Sequence, residues 1–343
     1  LWSQTSDQNL KQQALTFTQQ LRNEPSAWQP CLVLFTRSPP ASEQVRHFAL
    51  EIVAANVERL EVDTQSLEYL RGNLVEYVKQ IYGQNGKGKA DSPHIQNKLA
   101  QVLTSLFAVL YDSTWQSIFD DFLQLAKEGM APSGNVTGTV LYFRLLGSIH
   151  DEIADVLIHR TPEKTKRTTV LRDRIREHDA AKVASYWQEL LSEWRQVDAV
   201  VLEMCLRTIA RWISWSDISM VINEPILEAL LQMSGQRDVG PPSGPQAKLR
   251  DAAIEAFTAI ATKKMRPAEK IELIKFLKLQ TVVSQLISSQ PLSDYRNTSN
   301  YDTDLAESVA KLVNHIVRDL VVILDSTEAI DQTKQEANRI LQS

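Results

Sequence analysis

Gly83-Gln84-Asn85-Gly86-Lys87-Gly88-Lys89 has the G-x-x-x-x-G-K spacing of a loop that cradles nucleotide phosphates. That chemistry needs a serine or threonine after the last lysine to reach magnesium, and Ala90 stands there. The preceding residues read as helix rather than strand, so the stretch is expected to be a basic, flexible loop. Asp151, Asp155 and His159 recur every four residues and would share a helix face, as metal ligands can. His150 and His159 are about half a turn out of phase at ~100° per residue, and no H-E-x-x-H is present. A solvated or partner-contacting face is the expectation there, and no metal site is assigned. No G-x-S-x-G occurs. Cys31 and Cys205 lie far apart inside apolar patterns, which suits buried thiols in a reducing compartment. Asn135-Val136-Thr137 and Asn297-Thr298-Ser299 fit the glycosylation pattern, which has meaning only in a secretory context. With no catalytic constellation, the chain is read as a non-enzyme that binds partners.

The elements that would carry such binding are helices. From Ser92 to Tyr111 the apolar positions are Ile95, Leu99, Val102, Leu103, Leu106, Phe107 and Leu110, steps of three and four that draw one stripe along a helix. Similar stripes run over Val197–Ile213, Ala247–Lys263 and Asp304–Leu324. Further helices are predicted at Leu10–Arg22, Ala27–Phe35, Ser42–Leu60, Thr64–Tyr82, Trp115–Ala126, Val136–His159, Lys166–Trp194, Pro225–Met233 and Pro267–Ser288. Proline and glycine mark the breaks, among them a flexible loop near 237–246 that holds Gly240-Pro241-Pro242-Ser243-Gly244-Pro245. Most tryptophans, Trp115, Trp187, Trp194, Trp212 and Trp215 among them, sit beside apolar stripes and are expected in packing.

The 343 residues exceed the roughly 250–300 at which a single core stops growing, which leaves two domains or an elongated repeat array. Helix starts recur at irregular intervals of roughly 40–60 residues with two helices per unit, which is the range of HEAT repeats. The fold class is therefore all-α, a HEAT-repeat superhelical solenoid, with a compact helical bundle as the competing fold. A net charge of −5 and a pI near 5.8 argue against nucleic-acid binding through a global positive field, while a local basic patch stays possible. No apolar run approaches the ~18 residues of a membrane span, and no signal peptide is visible. The chain opens without methionine and ends in a helical pattern near Leu341, and is read as part of a longer protein.

Five phrases occur in a telling order. Ser26-Ala27-Trp28-Gln29-Pro30-Cys31 follows a helix ending at Leu21-Arg22. Then come Ile95-Gln96-Asn97-Lys98-Leu99-Ala100-Gln101-Val102 and Leu141-Tyr142-Phe143-Arg144-Leu145-Leu146, the latter running into His150-Asp151-Glu152-Ile153. Arg167-Thr168-Thr169-Val170-Leu171-Arg172-Asp173 with Ile175-Arg176-Glu177 is next, and Trp212-Ile213-Ser214-Trp215-Ser216-Asp217-Ile218-Ser219 is last. In this order the chain resembles the N-terminal third of the tRNA-exporting branch of the importin-β (karyopherin) family. The Gly240–Pro245 loop and the Asp294–Asn300 segment depart from the family pattern.

The resemblance implies a nuclear export receptor. It would bind tRNA cooperatively with the GTP form of the small GTPase Ran in the nucleus and release it in the cytoplasm after hydrolysis on Ran. It would need no cofactor of its own, because GTP is carried by Ran. It further implies a monomeric carrier that shuttles through the nuclear pore, contacts phenylalanine-glycine-repeat proteins there and involves no membrane. Residues 1–110 would be the Ran-binding repeats, and 111–343 would resemble the exportin-1-like region. In the family the second helix of each pair lines the inner face; here those are Leu10–Arg22, Ser42–Leu60, Ser92–Tyr111, Val136–His159, Val197–Ile213, Ala247–Lys263 and Asp304–Leu324. Exposed positions on them give Gln44, His47, Glu51, Gln96, Asn97, Lys98 and Gln101 as Ran-contact candidates. For tRNA the candidates are Arg160, Lys164, Lys166, Arg167, Arg172, Arg174 and Arg176, with a second cluster of Lys263, Lys264, Arg266 and Lys270. Another karyopherin with different cargo, or a HEAT scaffold outside transport, is the alternative.

Overall fold

The computed structural model describes residues 7–60, 63–83, 91–131, 134–235, 244–279, 281–284 and 303–342. Residues 84–90, most of the loop near 237–246, the Asp294–Asn300 segment and the Asn297 site lie outside them. Among the described residues there is no strand, and none of the helices is long and apolar enough to cross a membrane. The helices are α1 (Gln8–Asn23), α2 (Trp28–Thr36), α3 (Glu43–Val57), α4 (Thr64–Tyr82), α5 (Pro93–Leu110), α6 (Ile118–Met130), α7 (Val136–Ile153) and α8 (Pro162–His178). They continue as α9 (Ala180–Ser192), α10 (Ala199–Trp212), α11 (Ile218–Val221), α12 (Glu224–Ser234), α13 (Pro245–Ala261), α14 (Pro267–Phe276), α15 (Thr303–Asp325) and α16 (Asp331–Gln342). Side-chain oxygens start many of them: Asp7, Asp63, Asn135, Asp198, Asp217 and Asn223 each accept from backbone N–H groups of the first turn.

Two compact units divide at residues 175 and 176. In the first, α1, α3, α5 and α7 pack side by side in one row, with α2, α4 and α6 as a second layer. The stripe from Ile95 to Leu110 is buried along its length between these layers. Close approach is part of the design at Gly138, where a methyl group would stand 2.7 Å from the Tyr82 carbonyl oxygen. In the second unit α10, α13 and α15 form the row; α12 backs α13, and α14 packs on α16. These are HEAT-type helix pairs, and the seven helices assigned to an inner face from sequence are the ones that stand in the two rows.

Three boundaries differ from the sequence expectation. The helix predicted at Lys166–Trp194 is two helices, broken at Asp179, a buried carboxylate held by Lys182 at 3.1 Å. The helix predicted to His159 ends at Ile153, so Asp155 and His159 leave it and the imagined ligand face is not formed. The helix predicted over Pro267–Ser288 turns after Phe276, where Lys278 has a φ of 49°. Among the described residues no cluster of three metal-binding side chains exists. Both cysteines are buried, and burial pushes their thiols up from the ordinary range.

Candidate partner-binding faces

The first face lies on α3 and α5. Glu51 joins three helices, accepting from Arg22 of α1 at 3.3 Å and facing Lys98 of α5 at 3.8 Å. His47 and His94 stand with ring centroids 6.0 Å apart, and His94 Nε2 is 3.5 Å from Glu43. Gln44, Asn97 and Gln101 are exposed, and His47, Glu51 and Lys98 are half-buried. Gln96 departs from the expectation of exposure: it is buried, its Nε2 donates to the Asp91 carbonyl at 2.7 Å, and its Oε1 accepts from Arg144 Nε at 3.0 Å. Arg144 of α7 also donates to Asn97. The face is thus a polar seam across four neighbouring helices.

Beneath it is a buried ionic network. Arg46 Nη1 donates to Asp91 Oδ1 at 2.6 Å and its Nη2 to the Tyr77 hydroxyl at 2.5 Å. Tyr77 and Tyr82 each donate to Asp91 Oδ2, at 2.8 and 2.7 Å. The guanidinium lies 4.8 Å from the Phe35 ring centroid. Burial and then the Asp91 charge push both phenols well above their ordinary range, so they stay protonated donors. A folded pKa above the unfolded one gives stability that is complete below the unfolded value, ~10, and is lost as pH rises past it. Unfolding titrations between pH 8 and 11.5 should therefore show a loss of stability above about pH 10, reduced in Tyr77→Phe with Tyr82→Phe.

The basic residues have more varied fates. Arg160 is spent on the end of α7, donating to the carbonyls of Asp151, Glu152, Asp155 and Ile158 over 2.6–3.2 Å. Arg174 pairs with Asp112 at 2.5 Å, and Arg172 donates to Thr169 Oγ1 at 3.2 Å. Lys164 and Lys166 are exposed on the first turns of α8, with Arg167 half-buried beside them. In the second unit Arg176 donates to the Trp215 carbonyl at 2.7 Å, its guanidinium 5.9 Å from the Trp215 ring centroid. Lys263 donates to the carbonyls of Ile213 and Ser216, both at 2.7 Å, and burial lowers its pKa. Lys270 is buried, donates to the Ala261 and Lys263 carbonyls and pairs with Asp319 at 2.7 Å. Arg266 pairs with Glu269, while Lys264 is exposed.

A common device explains this. The last carbonyls of a helix lack intrahelical partners and carry partial negative charge. Arg160 satisfies them for α7, Lys263 and Arg176 beyond the end of α10, and Lys270 for α13; Arg59 does so for α1 through the Arg22 carbonyl at 2.6 Å. Two cavities of the second unit are lined largely by residues that the sequence reading did not single out, beside Lys263 and Lys264 of the second basic cluster. One, of about 570 Å³, lies along α10, α13 and α15 with Arg207, Arg211, Glu255 and Lys311 in its wall. Another, of about 630 Å³, gathers Lys263, Lys264, His315 and Arg318 over Val322. The recurring arginines and lysines of the row helices were the available signal for these.

Paired helices standing in rows define a helical-repeat protein, and residues 92–257 match the family model described as exportin 1-like protein. The chain belongs to the exportin family. Along nearly its whole length it is similar to Exportin-T, at 48% identity over 98% of the chain for the Phaeosphaeria nodorum protein. The figures are 45% over 100% of the chain for that of Aspergillus oryzae and 45% over 99% for that of Podospora anserina. The chain spans 32–33% of the length of these curated relatives.

Proposed function

We propose that the chain is the part of a nuclear export receptor that binds Ran-GTP and contributes to the grip on tRNA. The observation that carries this reading is the 48% identity to an Exportin-T along 98% of the chain. Ran in its GTP form would meet the polar seam of α1, α3 and α5, within residues 1–110, through Gln44, His47, Glu51, Asn97, Lys98 and Gln101, with buried Gln96 holding Arg144 in place. The tRNA would meet the repeats of residues 111–343, chiefly through the phosphate-binding side chains still presented outward: Lys164, Lys166 and Arg167 on α8, and Lys264 and Arg266 in the second unit. The two ligands would stabilise each other through a coupling free energy on one scaffold. Hydrolysis of GTP, on Ran in the cytoplasm, would end that coupling and release the tRNA, with no catalytic group or cofactor from the carrier. A monomeric carrier that passes the pore by contacts with phenylalanine-glycine-repeat proteins completes the reading.

Co-elution of the chain with Ran locked in the GTP or GDP form, with and without tRNA, tests it. Binding to the GTP form alone, strengthened by tRNA, is expected. Equal binding to both forms would remove the switch. GTP-selective binding indifferent to tRNA would point to a karyopherin with other cargo.

A further inference from the structure

The cavity of about 630 Å³ between the end of α13, α14 and α15 holds charges that the fold itself does not use. Two of the four lysines and arginines in its wall are engaged. Lys263 Nζ is on the carbonyls of Ile213 and Ser216, and Lys270 Nζ is on those of Ala261 and Lys263. Lys270 also neutralises Asp319, at 2.7 Å. The other two, Lys264 and Arg318, are exposed and have no hydrogen-bond or ion-pair partner among the described residues. Arg266, two residues along the chain from Lys264, is held by Glu269. Glu328 is the remaining carboxylate of the wall. The side chains left unengaged are therefore two cations and one carboxylate, a weakly positive site with an acceptor of its own.

The rest of the wall narrows the ligand. His315, Arg318 and Val322 stand at i, i+3 and i+7 and share one face of α15. His315 Nδ1 is 2.7 Å from the Lys311 carbonyl oxygen, which can only accept, so that nitrogen donates and Nε2 is the acceptor of the neutral ring. The Glu328 carboxylate is a second acceptor. Met265, Pro267 and Val322 supply apolar surface, Val322 being 61% exposed. A guanidinium and an ammonium suit one phosphate group. The acceptors suit hydroxyl or amine donors, and the apolar wall suits a flat ring. A bare anion would use the cations alone, and an acidic peptide would be repelled by Glu328 while leaving the apolar wall bare. A nucleotide carries all three parts, and cavities of roughly 300–1,000 Å³ hold ligands of that size. We infer that this cavity takes one nucleotide unit, its phosphate on Lys264 and Arg318, its base over Val322 and its hydroxyl or amine donors on His315 and Glu328. The unit is free or part of an RNA strand, and the inference does not rest on the tRNA reading above.

The test is saturation-transfer NMR of AMP mixed with the chain, beside fluorescence anisotropy of a labelled single-stranded RNA hexamer over a range of salt. If the free nucleotide is the source, the AMP base protons should receive saturation, and Lys264→Gln with Arg318→Gln should abolish the signal. Adenosine and inorganic phosphate should each compete with AMP far more weakly than AMP itself. If the unit is read only within a strand, AMP gives no signal and the same double variant weakens hexamer binding about tenfold, with a salt slope lower by about two. Val322→Ser should weaken whichever ligand binds and leave the salt slope unchanged, which loss of a simple charge patch would not do. The three side chains are exposed, so the variants should melt at the temperature of the parent. Inorganic phosphate competing as well as AMP would overturn the inference by reducing the cavity to an anion site. A double variant that binds both probes like the parent, or a Val322→Ser without effect, would overturn it too, and so would a parent that binds neither probe. None of these results bears on co-elution with Ran, so the export reading would stand or fall separately.

Discussion

Arg46→Ala is expected to destabilise the first unit by about 3–5 kcal/mol, because it strands a buried carboxylate. The Arg46 and Asp91 side chains are only 7% and 3% exposed, so water cannot replace the lost guanidinium. Tyr77 would lose one of its two partners, and the two phenols alone would face the Asp91 charge. Asp91 is also the residue whose carbonyl holds Gln96, so the polar seam over α3 and α5 should lose order with it. A contrasting variant separates charge from packing. Arg46→Met with Asp91→Leu, Tyr77→Phe and Tyr82→Phe removes every member of the network at once, and is expected to recover most of the loss. Urea unfolding with far-UV circular dichroism checks both; a loss below ~1 kcal/mol for Arg46→Ala would refute the buried-charge account.

Trp212→Ala should be the corresponding lesion of the second unit, at about 3–5 kcal/mol. The indole is buried at 1% exposure, meets Trp187 edge-on at 5.8 Å and lies against Trp215 at 4.7 Å between ring centroids. Its removal would leave a cavity that α9 and α10 cannot close without moving the turn at Ile213–Ser216, to which Lys263 and Arg176 are bonded. Trp212→Phe keeps an aromatic edge and should lose roughly half as much. Hydrogen exchange would localise the effect, with amides of α10 and α13 losing protection first. Uniform loss across both units would show that the cluster is not local to the second.

The reading of the fold from sequence succeeded where one physical effect dominated. The stripes from Ile95 to Leu110 and from Leu249 to Ile260 pair regular spacing with burial, so periodicity alone located α5, α13 and their places in the rows. It failed where apolar residues are not buried. Val156 and Leu157 extend the pattern of α7 past its true end, because the stop is made by Arg160 taking carbonyls from a distance, and a cation in a sequence shows no acceptor. The break at Asp179 depended on a side chain that buries itself beside Lys182, which helix propensity does not reveal. The candidate faces were legible to the same degree. Gln44, His47, Asn97 and Gln101 follow from being opposite a stripe. Gln96 stands one residue from Asn97 yet is buried, since Arg144 and Asp91 approach it from helices the sequence does not place beside it. Counting positive charges overstated the basic surface, because Arg160, Lys263 and Lys270 point their charges at the protein's own carbonyls.

The placement of those cations sets how each row can bend. In the second unit Lys263 ties the far end of α13 to the turn after α10, and Arg207 pairs with Glu255 across the same two helices at 2.6 Å. In the first unit α3 is clasped at both edges, through Arg59 to the end of α1 and through Arg46 to the start of α5. A flexible ammonium stem follows a moving carbonyl more readily than a planar guanidinium fork. At the end of α13 the ammonium clasp therefore yields where the guanidinium clasps on either side of α3 hold.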